Sequence, residues 1–557
     1  MMGRWCGAIM IALAAHMAEG QASDPFATAA RALVVQRGET GDRPLEQAAL
    51  VRIYPSSDSR PLWSLPDGRP TVQASAAIGA LASAESHGLV SEDYDVTALW
   101  QLWFTTEVSR TDAARFDVAL THAMTRFLAD LRVGRIDPAA IRFDLPPNAG
   151  DPSELAALVT AVACAADVPA AVAAAAPAYA GYQALERALA RYRALARDTT
   201  LRAPERTATT IRVGDRYAGV AALARWLRAL GDLDSASAVA AIPGSVGSVP
   251  VYDSALVAAV ARFQRRHGLD ADGAIGPATM HQLRVPVAQR IRQIELTLER
   301  WRWLPAPAPS RYAVVNIPAF RLEVFEDDSS AQRPVLTSNV IVGQADGRHE
   351  TPVFTATMRE VVFRPYWDVP TSIARGEVIP MVRRHPGSFA EDGFEIVQRG
   401  APDTATVTFA PNAHNLARVA KGELRIRQRP GPLNALGFIK FVFPNRYNVF
   451  LHDTPLRSLF ASSRRDYSHG CVRAERPKAL AELVLRGQPL ADPVAIDSII
   501  DGSQTVHVSL AEPLTVLVWY ATAVADADGT VSFYSDIYGR DADLEQALEL
   551  PAVPGQR

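Results

Sequence analysis

The sequence predicts an α+β multi-domain chain. It should hold a helical Ala-rich N-terminal scaffold, a small three-helix unit, and a β-rich C-terminal domain broken by an insertion. Three observations point there. Apolar residues recur at helical spacing before residue 215, a helix–turn–helix pattern with Gly and Pro punctuation fills 216–286, and strand alternation begins at Tyr312. At 557 residues the chain has room for three or four domains, each with its own core.

Residues 1–22 read as a secretory signal peptide, with Arg4 at its positive end, an apolar run Ile9–Ala15, and Gly20-Gln21-Ala22 as a small-x-small cleavage site. The run is too short to span a bilayer comfortably. Cleavage near Ala22 would remove Cys6 and leave Cys164 and Cys471, both expected as thiols, with Cys164 buried on a helix.

The expected scaffold covers 24–215. Ala74–Ser86 ends at His87-Gly88, where glycine suits a helix C-terminal cap. Phe116–Leu131 sets Leu120, Phe127 and Leu131 on one face and stops at Gly134 and Asp137-Pro138. His87 and His122 have no acidic or thiol neighbour at useful spacing, so they read as structural or surface residues.

Next, Val220–Leu230 is a short amphipathic helix, and a Pro/Gly/Ser/Val linker runs to Pro250. Leu256, Val260, Phe263 and His267 then share a helix face, Asp272-Gly273 turns the chain, and Pro277 opens another helix. Asp270–Gly273 lacks the glutamate a calcium loop needs at its twelfth position. A charged amphipathic helix, Arg290–Leu304, serves as the linker element of 287–309, with Trp301 and Trp303 expected to pack rather than to form a carbohydrate platform.

The expected β domain covers 310–502. Val314-Val315 and Leu322 with Val324 read as strands joined at Pro318-Ala319, and Val340–Gly343 and Thr351–Phe354 continue the sheet. An insertion of helical pieces, rich in Gly and Pro, occupies about 365–430 and opens with Tyr366-Trp367. Pro432–Pro444 returns to a strand, Pro477–Leu485 is a helix, and 503–557 holds strands at Val506–Val508, Leu514–Tyr520 and Val531–Tyr534. That tail is expected to pack on the scaffold or on the β domain.

The chemistry concentrates in 445–473, NRYNVFLHDTPLRSLFASSRRDYSHGCVR. Val449–Leu451 should form a strand that delivers His452 and Asp453 at its end, and an Arg- and Ser-rich loop returns at Ser468-His469-Gly470-Cys471. A cysteine nucleophile needs a base from another segment, and this layout provides one. A zinc site would lack its fourth ligand and the usual short spacings. A buried structural thiol fits poorly beside His, Gly and Arg.

The His, the gap of about fifteen residues and the Ser-His-Gly-Cys resemble the signature of the L,D-transpeptidases, although many members carry Asn where this chain has Arg473. Ile-Val-Gly followed by Thr-Pro, the insertion and the tail resemble the large periplasmic branch of that family, which implies that the insertion at about 365–430 is a capping insertion over the substrate groove. The pattern A-V-x-x-F-Q-x-x-H-G-L-x-x-D-G-x-I-G-x-x-T resembles a peptidoglycan-binding module.

The resemblance implies a periplasmic enzyme of cell-wall biogenesis and cell shape. Cys471 would attack a tetrapeptide stem, expel the terminal D-Ala and pass the acyl group to a second stem as a 3→3 cross-link. It implies His452 as base, held by the Asp453 carbonyl or carboxylate. Backbone N–H groups near Gly470 and Cys471 would form the oxyanion hole, with His469 shaping that geometry. Ser468, Asp453, Arg473, Tyr366 and Trp367 are expected to bind substrate. No metal or organic cofactor is expected. Carbapenems should acylate Cys471, and other cell-wall enzymes are possible partners. An L,D-carboxypeptidase, a hydrolase of lipoprotein links and a non-catalytic wall-binding protein stay open as alternatives. With 57 basic against 60 acidic residues and a net charge of −3, nothing argues for nucleic-acid binding.

Overall fold

The structure, a computed structural model, describes residues 24–549 apart from 40–42, 56–58, 106–108, 147, 149, 235–248, 306–308, 327–332 and 403–404. The expected signal peptide and most of the linker before Pro250 lie outside the described residues. Among the described residues two compact units form: 24–135 with 148–177, and 136–147 with 178–549.

The described part of the first unit is helical. Its central helix, Arg110–Val133, carries the expected Phe116–Leu131 face and is buried along nearly all of its length. One polar group in it organises the loop before: the Asp117 carboxylate accepts N–H groups of Leu62 and Trp63, each at 2.8 Å, and the Tyr54 hydroxyl at 2.6 Å. Burial pushes that carboxyl up, yet every bond around it is structural. His122 is likewise buried, 2.8 Å from Arg37. Cys164 corrects its expectation, because the Pro152–Ala163 helix ends one residue earlier and leaves the thiol exposed at the cap. Both described cysteines are free.

In the second unit, helices Val220–Leu230, Ser254–Arg266 and Pro277–Leu283 enclose Leu223, Leu256, Val260, Phe263 and Leu283. Enclosing a ring such as Phe263 contributes about 2 kcal/mol. Gln264 explains the Phe-Gln pair of the sequence pattern. It is 2% exposed and bridges Asp272, Ala274, Thr279 and the Gly273 N–H, tying the turn to both helices. Gly273 sits at φ +71° with no room for a side chain against the Val257 carbonyl.

The β domain is a nine-stranded sheet. Its strands are β1 (Arg311–Asn316), β2 (Arg321–Glu326), β3 (Leu336–Gly343), β4 (Phe354–Phe363), β8 (Ile439–Val442), β9 (Leu451–His452), β10 (Asp466–Ser468), β11 (Val472–Ala474) and β12 (Val506–Trp519). The insertion supplies β5 (Trp367–Asp368), β6 (Phe394–Gln398) and β7 (Leu424–Gln428). The order is β10-β3-β11-β9-β8-β4-β12-β1-β2, and β2 also pairs with β3, so the sheet closes into a barrel.

The two strands expected near 506–508 and 514–520 are one. β12 runs past Pro513 with a register shift between Ser509 and Leu514, antiparallel to β4 and parallel to β1. The segment after 502 therefore enters the barrel wall as well as packing on it. Beyond β12, the hairpin β13 (Ala523–Ala525) and β14 (Val531–Phe533) receives the three-helix unit. Arg266 pairs with Asp232 at 2.5 Å and donates to the Val531 carbonyl at 2.9 Å, and Arg290 lies 4.8 Å over the Phe533 ring. Trp303 is fully buried edge-on to Phe143, as packing predicts, while Trp301 is half-buried.

The insertion builds its own sheet, β5-β7-β6, over a core of Val378, Phe389, Ile396, Leu424 and Ile426.

Gly343, at the end of β3, admits no side chain. An added Cβ would lie 1.9 Å from the His349 carbonyl oxygen and 2.7 Å from the Thr351 nitrogen, both backbone atoms. Gly343→Ala is expected to destabilise the β domain by about 2 kcal/mol or more. A thermal melt beside the parent chain checks this, and an unchanged midpoint contradicts it.

Candidate active site

Cys471 sits in the turn between β10 and β11. Ser468 shapes that turn: its hydroxyl donates to the Cys471 carbonyl at 2.5 Å and accepts the Gly470 N–H at 3.1 Å. Gly470 adopts φ +109°, and its carbonyl accepts the Thr351 hydroxyl at 2.9 Å. The same Thr351 oxygen accepts the Gly343 N–H at 2.8 Å, and Tyr538 closes the array by donating to the Gly343 carbonyl at 2.5 Å. The turn is thus fixed from β3, from the loop after it, and from the C-terminal segment.

β9 brings His452 alongside. β9 and β11 are parallel, with Leu451 opposite Val472 and His452 opposite Arg473, while β8 sets Lys440 opposite His452. Residues opposite or two apart share a sheet face, so Lys440, His452, Arg473 and Cys471 lie on one face. Val449 and Phe450, expected in the strand, precede it; Asn448 there takes a left-handed φ of 53°. Sγ of Cys471 points to the Asn448 carbonyl at 3.8 Å. Among the described residues no sulfur–imidazole hydrogen bond is formed.

His452 is 4% exposed, and its Nδ1 lies 2.5 Å from the Asp453 carbonyl oxygen. A carbonyl only accepts, so Nδ1 carries the proton and Nε2 presents a lone pair. The orienter is therefore the backbone carbonyl. The Asp453 carboxylate is taken by Arg457 at 3.1 Å and the Phe438 N–H at 3.0 Å. It faces a cavity of about 580 Å³ that Arg457, Glu475 and Lys478 also line.

Burial, the Arg473 charge and the Lys440 charge hold His452 down to about 3, against a lift from its hydrogen bond to Asp453. Burial pushes the Cys471 thiol up, against smaller lowering by the Phe450 backbone and the charges of Lys440 and Arg473. The resting pair is thus a neutral thiol beside a neutral imidazole, not a thiolate beside an imidazolium. Arg473 is itself pulled down by burial, and its Nε is buried without a hydrogen-bond partner among the described residues.

Among the described residues His469 makes no hydrogen bond to this pair. Its Nε2 lies 2.6 Å from Glu377, on the π-helical turn Ala374–Val378 of the insertion, and its ring stands edge-on to His349 at 4.7 Å. His349 in turn holds Asp346 at 2.6 Å. Tyr366 and Trp367 belong to the insertion's own structure: the Arg427 guanidinium lies 4.4 Å over the Tyr366 ring, and Trp367 sits in β5 beside Phe394. Gly470's N–H is committed to Ser468, which leaves the Cys471 N–H as the candidate oxyanion donor of that pair.

Reading the sequence missed Thr351, Tyr538, Glu377, His349 and Lys440. Thr351 was visible only as part of a Thr-Pro strand signal, and Lys440 as one polar position of an apolar strand. Among the described residues no cluster of three or more His, Cys, Asp or Glu is arranged to hold a metal ion. No described helix is long and apolar enough to cross a membrane.

Comparison with known families finds that residues 310–496 match the L,D-transpeptidase catalytic domain, residues 48–189 a scaffold domain, and residues 216–283 the "Putative peptidoglycan binding domain". The chain is 29% identical over 235 residues to a Haemophilus influenzae protein named "Putative L,D-transpeptidase". The match covers 42% of this chain and 45% of that protein, so it spans less than half of the relative's length.

Proposed function

We propose, from the match of residues 310–496 to the L,D-transpeptidase catalytic domain, that Cys471 forms 3→3 cross-links between peptidoglycan stems. The observation that carries this is the His452 ring, held by the Asp453 carbonyl with Nε2 free of that bond, on the sheet face that also bears Cys471. The thiol proton passes to His452 Nε2 as sulfur attacks the carbonyl of the third stem residue. The imidazolium returns that proton to the departing D-Ala amine as the C–N bond breaks, leaving a thioester. A side-chain amine of a second stem then attacks, the C–S bond breaks, and the released sulfur regains a proton.

The Cys471 N–H is the proposed oxyanion donor, a contribution of about 3 kcal/mol. Arg473, whose Nε is buried without a partner, supplies positive charge for a substrate carboxylate. The 216–283 module holds the polymer. We place the protein in the periplasm, delivered by cleavage near Ala22, with the insertion capping the substrate groove.

Two experiments test the reading. Intact-mass analysis with a carbapenem should show one covalent adduct, located on Cys471. Tetrapeptide muropeptides should give dimers with D-Ala released; tripeptide monomers instead would mark an L,D-carboxypeptidase, and lipoprotein release a link hydrolase.

The insertion's grip on the catalytic loop yields a smaller prediction. Glu377 is 56% exposed and His469 29%, so their contact is screened and worth about 0.2–1 kcal/mol. Glu377→Gln is expected to slow carbapenem acylation by at most about fivefold without moving the melting midpoint. A larger drop would mean that the glutamate acts on substrate directly.

A further inference from the structure

A second cleft of about 390 Å³ opens on the outer face of β1 and β2, beside the end of the Val287–Arg302 helix. Its size lies in the range of small-molecule sites, about 300–1,000 Å³. Three half-buried rings line it: Tyr312 and Phe325, opposite each other on β1 and β2, stack at 5.1 Å and 18°, and Trp301 stands 6.0 Å from the buried Trp519. The helix beside Trp301 carries Gly181, where any side chain would meet the indole at 2.7 Å, so the ring's place depends on that glycine.

Among these rings stands a carboxyl. Glu323 shares the Phe325 face of β2, and among the described residues its one ion pair is with Arg321 at 3.8 Å. Burial pushes it up, and Asp526, also in the cleft, adds to that. A carboxyl left without a close partner in an aromatic cleft costs stability, which marks it as kept for a ligand. The Trp519 Nε1 is buried and without a hydrogen-bond partner among the described residues.

This combination selects chemistry. Aromatic faces match the apolar C–H face of a sugar ring, and carboxyl oxygens accept its hydroxyl and acetamido donors. A cationic ligand would also suit rings with carboxyls, but Arg187 and Arg333 line the cleft and repel it. We propose that this cleft binds the amino-sugar backbone of a glycan strand, distinct from the Cys471 site and from the 216–283 module. The proposal rests on the reading that the chain works on peptidoglycan, and it names the polymer's sugar as what the β domain grips.

Chitotetraose, which has the sugar and no stem peptide, is the probe. Titrated into the full chain with tryptophan fluorescence as readout, it is expected to bind. Tyr312→Ser and Glu323→Ala should each weaken binding about tenfold at an unchanged melting temperature, the loss of one stacked face or one charge-assisted hydrogen bond. Glu323→Gln, of the same size, decides the matter if Tyr312→Ser does not fold. No binding, or equal affinity in the folded variants, overturns the proposal; so does displacement of the sugar by a free stem peptide. Carbapenem labelling of Cys471 should be the same in every variant. Its absence in the parent chain would strike the catalytic reading and leave the cleft result standing.

Discussion

Cys471→Ala is expected to abolish the carbapenem adduct and to cut turnover of tetrapeptide stems by at least ~10⁴-fold, as loss of a covalent nucleophile does elsewhere. The fold should survive. The thiol is half-buried and bonds only weakly to the Asn448 carbonyl at 3.8 Å, so its removal leaves no large cavity and no stranded polar group. Wall binding should also persist, because the 216–283 module has its own core and its own ties to the β13–β14 hairpin. Intact mass, a melt and sedimentation with sacculi read these three outcomes separately. Residual turnover near the parent rate would sink the thioester mechanism; lost wall binding would show that the two functions are coupled.

His452→Ala should slow acylation by about 10³-fold, the usual contribution of a positioned general base. The parent chain carries a more discriminating signature. Since the imidazole is held down to about 3, it is neutral throughout the ordinary range, and the acylation rate should show no inflection near the unperturbed value of 6.5. Second-order acylation rates from pH 5 to 8 check this, and a free-enzyme inflection at 6.5 would contradict it.

Stability follows the same displacement. The folded pKa lies below the unfolded one, so the unfolded chain binds the extra proton between 6.5 and about 3. The His452 contribution is therefore complete above 6.5 and is lost as pH falls through that window. Buried His267, also held well below its ordinary value, acts in the same direction. Denaturation midpoints should drop on acidification, and less steeply in His452→Ala.

The residues that do local work were legible. Ser468, Gly470, Cys471 and His452 announce themselves through a polar return loop, a glycine in a tight turn, and an imidazole at a strand end. Helices were legible where a single face had to be buried, as in Val220–Leu230. What escaped depends on partners distant in the chain. Nothing near Tyr538 says that its hydroxyl supports a carbonyl at Gly343, and nothing near Glu377 points to His469. Tyr366 and Trp367 were expected to bind substrate, and nothing near them in sequence says that Arg427 and Phe394 lie against their rings. Two strands were expected at Val506–Val508 and Leu514–Tyr520, but a register shift lets one strand, β12, run through both.

β12 has one further consequence. Of the barrel's strands it comes last in the chain, yet it pairs with β1 and β4 and so completes the barrel wall. Until Trp519 joins the sheet the barrel stays open, and until Tyr538 follows it the Gly343 carbonyl lacks its donor. A chain cut short before that point would carry the whole signature on an unclosed barrel.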